Sequence, residues 1–169
     1  IIVTTDADCR VPKQWLRAMN AQFDVPTVRM VIGPVRLEGG KYESIQSMEF
    51  ASLVGTSGAT AALGHPSMCN AANLAFRRAD FVTVNGFAGN ENISSGDDQF
   101  LMNKFVARWK DSISFLHDTA TVVTAHAPVN FSAFVEQRLR WAGKWQLQGD
   151  TSSWLALVIL GFHISNLIA

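Results

Sequence analysis

The chain has 169 residues, 48% of them hydrophobic and 17% charged, with a formal net charge of zero. That balance excludes a disordered chain, allows one sizeable core and leaves no basic footprint for nucleic acid. Cys9 and Cys69 stand far apart with no Cys-x-x-Cys spacing, so neither a zinc site nor a disulfide framework is indicated, and both read as small buried hydrophobes.

Residues 1–5, Ile-Ile-Val-Thr-Thr, read as a buried strand. Asp6 and Asp8 follow where that strand stops. At the carboxyl edge of an open α/β sheet, such a pair can hold a Mg²⁺ or Mn²⁺ ion against a substrate diphosphate. The tripeptide alone is more often a plain acidic turn.

A helix is expected over residues 11–23, with Pro12 in its first turn and Trp15, Leu16, Met19 and Phe23 on one face. Residues 27–37 read as one strand, with Gly33-Pro34 marking a bulge or an edge position. After a turn over 38–41, residues 42–54 form a second helix carrying Ile45, Met48 and Leu53. The small-residue stretch 55–64 lacks periodicity and reads as a loop with a short strand. Residues 69–78 are a tight turn feeding a strand that ends in Arg77 and Arg78, and 89–96 are a loop dense in turn formers.

Asp97 and Asp98 open the next helix, with Ser95 or Asp97 as its cap and Phe100, Leu101, Lys104 and Phe105 repeating at three and four. Short strands are expected over 113–116 and 120–124. Residues 131–148 are the longest amphipathic helix. Strands alternate with helices, so the class is α/β, without internal repeats and without a linker before about residue 149.

On the 131–148 helix, Gln137, Arg140, Trp141 and Lys144 share one face, leaving Phe131, Phe134, Val135, Leu139 and Ala142 for packing. Arg140 offers a planar fork for a phosphate, and Trp141 a flat wall for a sugar ring. The plainer reading is a basic face snorkelling near a membrane. Residues 154–169 are apolar almost throughout, a little short of the about 20 residues of a spanning helix, and follow Trp141, Lys144, Trp145 and Trp154. They read as the start of a transmembrane or interfacial helix, with a buried core helix as the competitor. The chain has no initiator Met and begins inside a strand, which suggests a piece of a longer polypeptide.

Thr5-Asp6-Ala7-Asp8, Ser95-Gly96-Asp97-Asp98, Gln137-Arg138-Leu139-Arg140-Trp141 and the 69–78 segment together resemble a family 2 glycosyltransferase. The third is the Gln-x-x-Arg-Trp signature shared by cellulose, chitin and hyaluronan synthases. The 69–78 segment resembles that family's Gly-Ala-Asn-x-Ala-x-Arg run, with Ala71 where Gly is usual. The resemblance implies a partial GT-A fold, the Rossmann-like fold of nucleotide-diphospho-sugar transferases. Residues 1–148 would be the metal and acceptor half of its catalytic domain, and 149–169 a linker and the start of a C-terminal apolar membrane-associated helix. The strands carrying the nucleotide contacts precede the Asp-x-Asp pair in this family, so the isolated chain is expected to be inactive.

The resemblance also implies roles. Asp8, with Asp6, supports Mg²⁺ or Mn²⁺ on the diphosphate of a UDP- or GDP-sugar. Asp98 is the general base that takes the acceptor hydroxyl's proton in an inverting transfer, and Asp97 is its supporting acid. Gln137 and Arg140 contact diphosphate or acceptor, Trp141 the acceptor sugar, and Asn70 and Asn73 line the donor-sugar pocket, with Asn73 also an acceptor contact. His126 is a candidate further metal ligand, though a lone His is more often structural. The acceptor is a lipid or saccharide hydroxyl, and the Gly-Asp-Asp in place of Thr-Glu-Asp leaves lipid and short-chain acceptors open. The expected location is the cytoplasmic membrane, with the catalytic domain on the cytoplasmic side. The competing readings are a non-catalytic membrane-associated binding partner and a nucleotidyltransferase.

Overall fold

In the computed structural model the first strand, β1 (Ile2–Thr4), is an edge strand and only half-buried, not the enclosed strand its β-branched run suggests. The structure describes residues 1–40, 43–90 and 96–145, the last four of them as backbone only. The chain divides into two compact units, Ile1–Val129 and Asn130–Ala169.

The first unit is a mixed α/β assembly. Helix α1 (Trp15–Ala21) continues into a 3₁₀ turn, Gln22–Asp24. Trp15, Met19 and Phe23 are buried at the expected spacing, but Leu16 is 60% exposed, because one residue's advance of about 100° carries it past the core stripe. The single strand expected over 27–37 is two: β2 (Met30–Ile32) and β3 (Val35–Glu38) lie in different sheets. Gly33-Pro34 is the crossing point. Proline has no N–H to give to a ladder, and Gly33 gives its own to the carbonyl of Asn73, at 2.8 Å.

Helix α2 (Glu43–Ala62) runs straight through the small residues that read as a loop. Gln46, Phe50, Ser57, Gly58 and Ala61 form its buried face, while Ile45 and Met48 point outward. The small side chains are there for close packing: a Cβ on Gly58 would stand 3.2 Å from the Phe115 ring. Next come β4 (Leu74–Phe76), α3 (Arg78–Thr83), α4 (Asp97–Arg108), β5 (Ile113–Phe115) and β6 (Val123–His126).

The four-stranded sheet has the order β1-β4-β2-β5, with β4 antiparallel to both neighbours and β2 parallel to β5. Strands β3 and β6 form a parallel pair, to which the backbone of Arg10 is bridged through Thr124. The core joins Met30 and Ile32 of β2, Leu74 and Phe76 of β4, and Leu101, Met102 and Phe105 of α4, all at most 2% exposed. Burying this many large apolar side chains, each worth roughly 1.5–3 kcal/mol, holds α4 on the sheet.

The second unit contributes α5 (Phe131–Trp145), whose first turn is capped by Asn130: its Oδ1 accepts from the N–H of Ala133 at 2.9 Å. Phe131 and Leu139, expected to pack, are 70% and 66% exposed. Residues 146–169, with the expected membrane-associated segment, lie outside the described residues. Among the described residues, no helix is long and apolar enough to cross a membrane.

Candidate functional site

The strand directions gather one edge of the four-stranded sheet. Because β4 runs against β1 and β2, the turn that feeds β4 lies where β1 and β2 end, and Leu74 pairs with Thr4 on one side and Ile32 on the other. Asp6 and Asp8 leave β1 at this edge, beside the 3₁₀ turn Ala71–Asn73 and the Gly33-Pro34 crossing. Open α/β sheets bind ligands at such carboxyl edges.

Asp6, Asp8 and Cys9 are the group among the described residues that could hold a metal ion, their ligand atoms all lying within 4.8 Å of one another. Both carboxylates are exposed, and Cys9 is half-buried. Burial, then the charges of Asp6 and Asp8, push the Cys9 thiol pKa above its ordinary value. The charge of the group is carried by its two hard carboxylates. That donor set fits Mg²⁺ or Mn²⁺, ions that take oxygen ligands and keep several waters. His126 is exposed on β6, opposite Glu38, and is not in this group.

Asp98 joins the same edge through the backbone. Its Oδ2 accepts from the N–H of Ala71 at 3.1 Å and its Oδ1 from the N–H of Gln99 at 2.8 Å. The carbonyl of Ala71 in turn accepts from the Thr4 hydroxyl at 2.7 Å. One peptide residue thus ties the strand that delivers Asp6 and Asp8 to the carboxylate of Asp98. The N-cap position of α4 is Gly96 rather than Asp97, at φ 100°, a left-handed conformation that glycine alone adopts without strain; Ser95 lies outside the described residues. Asp97 is exposed, and its Oδ1 accepts from the side-chain amide of Asn90.

Asn70 and Asn73 act within the chain. The Oδ1 of Asn70 caps the turn by accepting from the N–H of Ala72 at 3.0 Å. Asn73 is 0% exposed, with its carboxamide bonded to Trp15, Pro34 and Thr121. It has no surface toward solvent from which to meet an acceptor. Arg77 sits at the opposite end of β4 from the site, where its guanidinium donates to the carbonyls of Val28 and Phe23, both at 2.8 Å. It is a latch on the segment before β2. Arg78 beside it is exposed.

Gln137, Arg140 and Trp141 belong to α5 and the second unit. Arg140 is exposed, and Gln137 and Trp141 are half-buried. Arg138, which the signature treats as a variable position, has its guanidinium 4.4 Å from the ring centroids of both Phe134 and Trp141 and donates to Gln137 Oε1. Part of the Trp141 ring surface therefore carries a cation–π partner. The i, i+3 and i+4 spacing of Phe134, Arg138 and Trp141 is the signal that could have revealed it. The side chain of Lys144 lies outside the described residues.

No curated protein matches the chain. The profile of the family described as glycosyl transferase family group 2 matches residues 1–168. A match over nearly the whole chain, on a mixed α/β fold consistent with the GT-A type, makes this protein a member of the family 2 glycosyltransferases.

Proposed function

We propose that the protein transfers a sugar, with inversion, from a nucleotide-diphosphate sugar (UDP- or GDP-linked) to a hydroxyl of a lipid or saccharide acceptor, and that Asp98 is the general base. The observation that carries the reading is the tie through Ala71: Asp98 and the strand leading to Asp6 and Asp8 are bonded to the same residue. An inverting transfer needs this pairing, with a base on the acceptor side and a site for the leaving diphosphate on the other.

Asp6 and Asp8 would hold the cation, Mg²⁺ or Mn²⁺, which when bound neutralises charge growing on the departing diphosphate. Asp98 takes the proton of the acceptor hydroxyl as that oxygen attacks the anomeric carbon. Two backbone N–H groups orient its carboxylate, so its geometry does not depend on the acceptor arriving. Asp97, held by Asn90, is the supporting acid. Gln137 and Arg140 contact the diphosphate or the acceptor, and Trp141 lies against the acceptor sugar. The protein works at the cytoplasmic face of the cytoplasmic membrane, anchored by the apolar segment over 154–169.

The test uses the full-length protein in membranes, wild type beside Asp98→Asn, with a panel of radiolabelled nucleotide sugars and Mn²⁺ or Mg²⁺. Metal-dependent incorporation into lipid or polymer that falls about 10²- to 10⁴-fold in the variant is the expected result. A folded variant with the wild-type rate would remove Asp98 as the base.

A further inference from the structure

We infer that Asn73 is a positioning residue for the transfer: from inside the core it sets where Asp98 stands relative to the Asp6–Asp8 loop. The inference rests on the roles given above to Asp98, Asp6 and Asp8, and deepens them.

The carboxamide of Asn73 reaches three separate elements. Its Oδ1 accepts from the indole N–H of Trp15 at 2.8 Å, and its Nδ2 donates to the carbonyls of Pro34 at 2.7 Å and Thr121 at 3.3 Å. Both amide hydrogens and one oxygen lone pair are thereby used. Trp15 opens α1, the helix that follows the Asp6–Asp8 loop. Pro34 is the crossing between the two sheets, and Thr121 lies in the 3₁₀ turn before β6. The main chain adds two bonds: the carbonyl of Asn73 accepts from Gly33 at 2.8 Å, and its N–H donates to the carbonyl of Asn70 at 3.0 Å.

Asn73 closes the same three-residue turn whose first residue, Ala71, meets both Asp98 and Thr4. The turn is short and bonded at each end, so a displacement of Asn73 is passed to Ala71 rather than absorbed. The neighbourhood is shaped around this amide: a Cβ at Gly33 would overlap the Asn73 carboxamide, which only glycine avoids. An apolar side chain at 73 would leave the Trp15 indole, the Pro34 carbonyl and the Thr121 carbonyl short of a buried partner.

The experiment compares Trp15→Phe, Asn73→Asp and Asp98→Asn with wild type in the full-length chain. Folding is followed by circular dichroism, binding of Mn²⁺ alone by electron paramagnetic resonance, and transfer by kcat and KM for the donor that wild type uses. Trp15→Phe keeps an aromatic ring but removes the N–H that orients Asn73 together with one ring of the buried indole, so kcat is read per folded molecule. The expected result is native circular dichroism, Mn²⁺ affinity and donor KM within about twofold, and kcat lower by about tenfold or more, since ångström-scale misplacement costs up to about 10²-fold. Asn73→Asp, if it folds, follows the same pattern more severely, and if it does not fold, Trp15→Phe decides. A Trp15→Phe protein that is merely less thermostable, with unchanged kcat per folded molecule, overturns the inference. If Asp98→Asn abolishes transfer in that case, the base assignment stands and only the inference falls. If Asp98→Asn transfers like wild type, the base assignment fails and the inference falls with it.

Discussion

The backbone N–H of Ala71 points at Oδ2 of Asp98, 3.1 Å away, while the carbonyl of the same residue receives the hydroxyl of Thr4. Ala71 stands where the family's related segment usually has Gly. Its contribution here is made by the main chain, which any residue able to take the turn can supply. Thr4→Val keeps the shape of the side chain and removes the hydroxyl. The expected cost is about 1 kcal/mol for the lost bond, read as a shift of the urea midpoint, together with a lower transfer rate as the turn loosens.

Gly33→Ala tests the crossing between the sheets. The new methyl group would overlap the Asn73 amide, so the amide or the strand end must move. A loss of about 1–3 kcal/mol on chemical denaturation is expected, the usual range for overpacking a core. A stability equal to wild type would mean that Asn73 is free to step aside.

Arg77→Met tests the latch at the far end of β4. It removes the donors to the Phe23 and Val28 carbonyls and the cation stacked 5.3 Å over the Phe23 ring. Bonds from a charged donor are worth about 1.5–3 kcal/mol each in favourable settings. Arg77 is half-buried, so about 2–3 kcal/mol in total is the expected loss. Arg77→Lys restores little of it, because one ammonium cannot reproduce the fork. Binding of Mn²⁺ should be unchanged in both variants, since the latch lies away from the site edge.

Asp6→Asn and Asp8→Asn each remove one of two hard ligands. Mn²⁺ affinity, measured by calorimetry, is expected to fall at least about tenfold in either, or about 1.4 kcal/mol. A wild-type affinity in both variants would move the cation elsewhere.

Cys9 reports on the same loop without any substrate. Its raised pKa means that a smaller fraction is thiolate at pH 8 than for an ordinary cysteine, so alkylation by iodoacetamide, followed site by site by mass spectrometry, should be slow. The sign follows from the causes. Removing a neighbouring carboxylate in Asp8→Asn lowers the pKa toward its ordinary value and should speed the reaction at that pH. An unchanged rate in the variant would show that the charge of Asp8 does not act on the thiol, leaving burial and Asp6.

The elements that carry the candidate site residues were legible because each is specified locally in sequence. Asp6 and Asp8 end a β-branched strand, Asp97 and Asp98 open a helix with a periodic apolar face, and Gln137, Arg140 and Trp141 share a helical repeat. Periodicity and turn chemistry act over a few residues, so they survive in the one-dimensional pattern. The sequence alone determined the α/β class, the order of its main elements and the membership of the family, which the match over residues 1–168 bears out.

Other features depended on partners remote in the chain. The 55–64 stretch lacks periodicity, and it is helical because small residues let α2 lie close to Phe115. The 27–37 strand splits because Asn73, 40 residues after Gly33, fills the space at the crossing. Asn73 read as a sugar contact because the equivalent loop of the family it resembles lines the sugar pocket. Only the fold shows that Trp15, Pro34 and Thr121 saturate it where water cannot reach. Arg77 likewise stood in the sequence only as a cation at a strand's end, and the carbonyls of Phe23 and Val28 that it meets lie about 50 residues earlier in the chain. A buried polar side chain is stabilised by whichever groups the tertiary structure brings within hydrogen-bond reach, and sequence spacing holds no record of them.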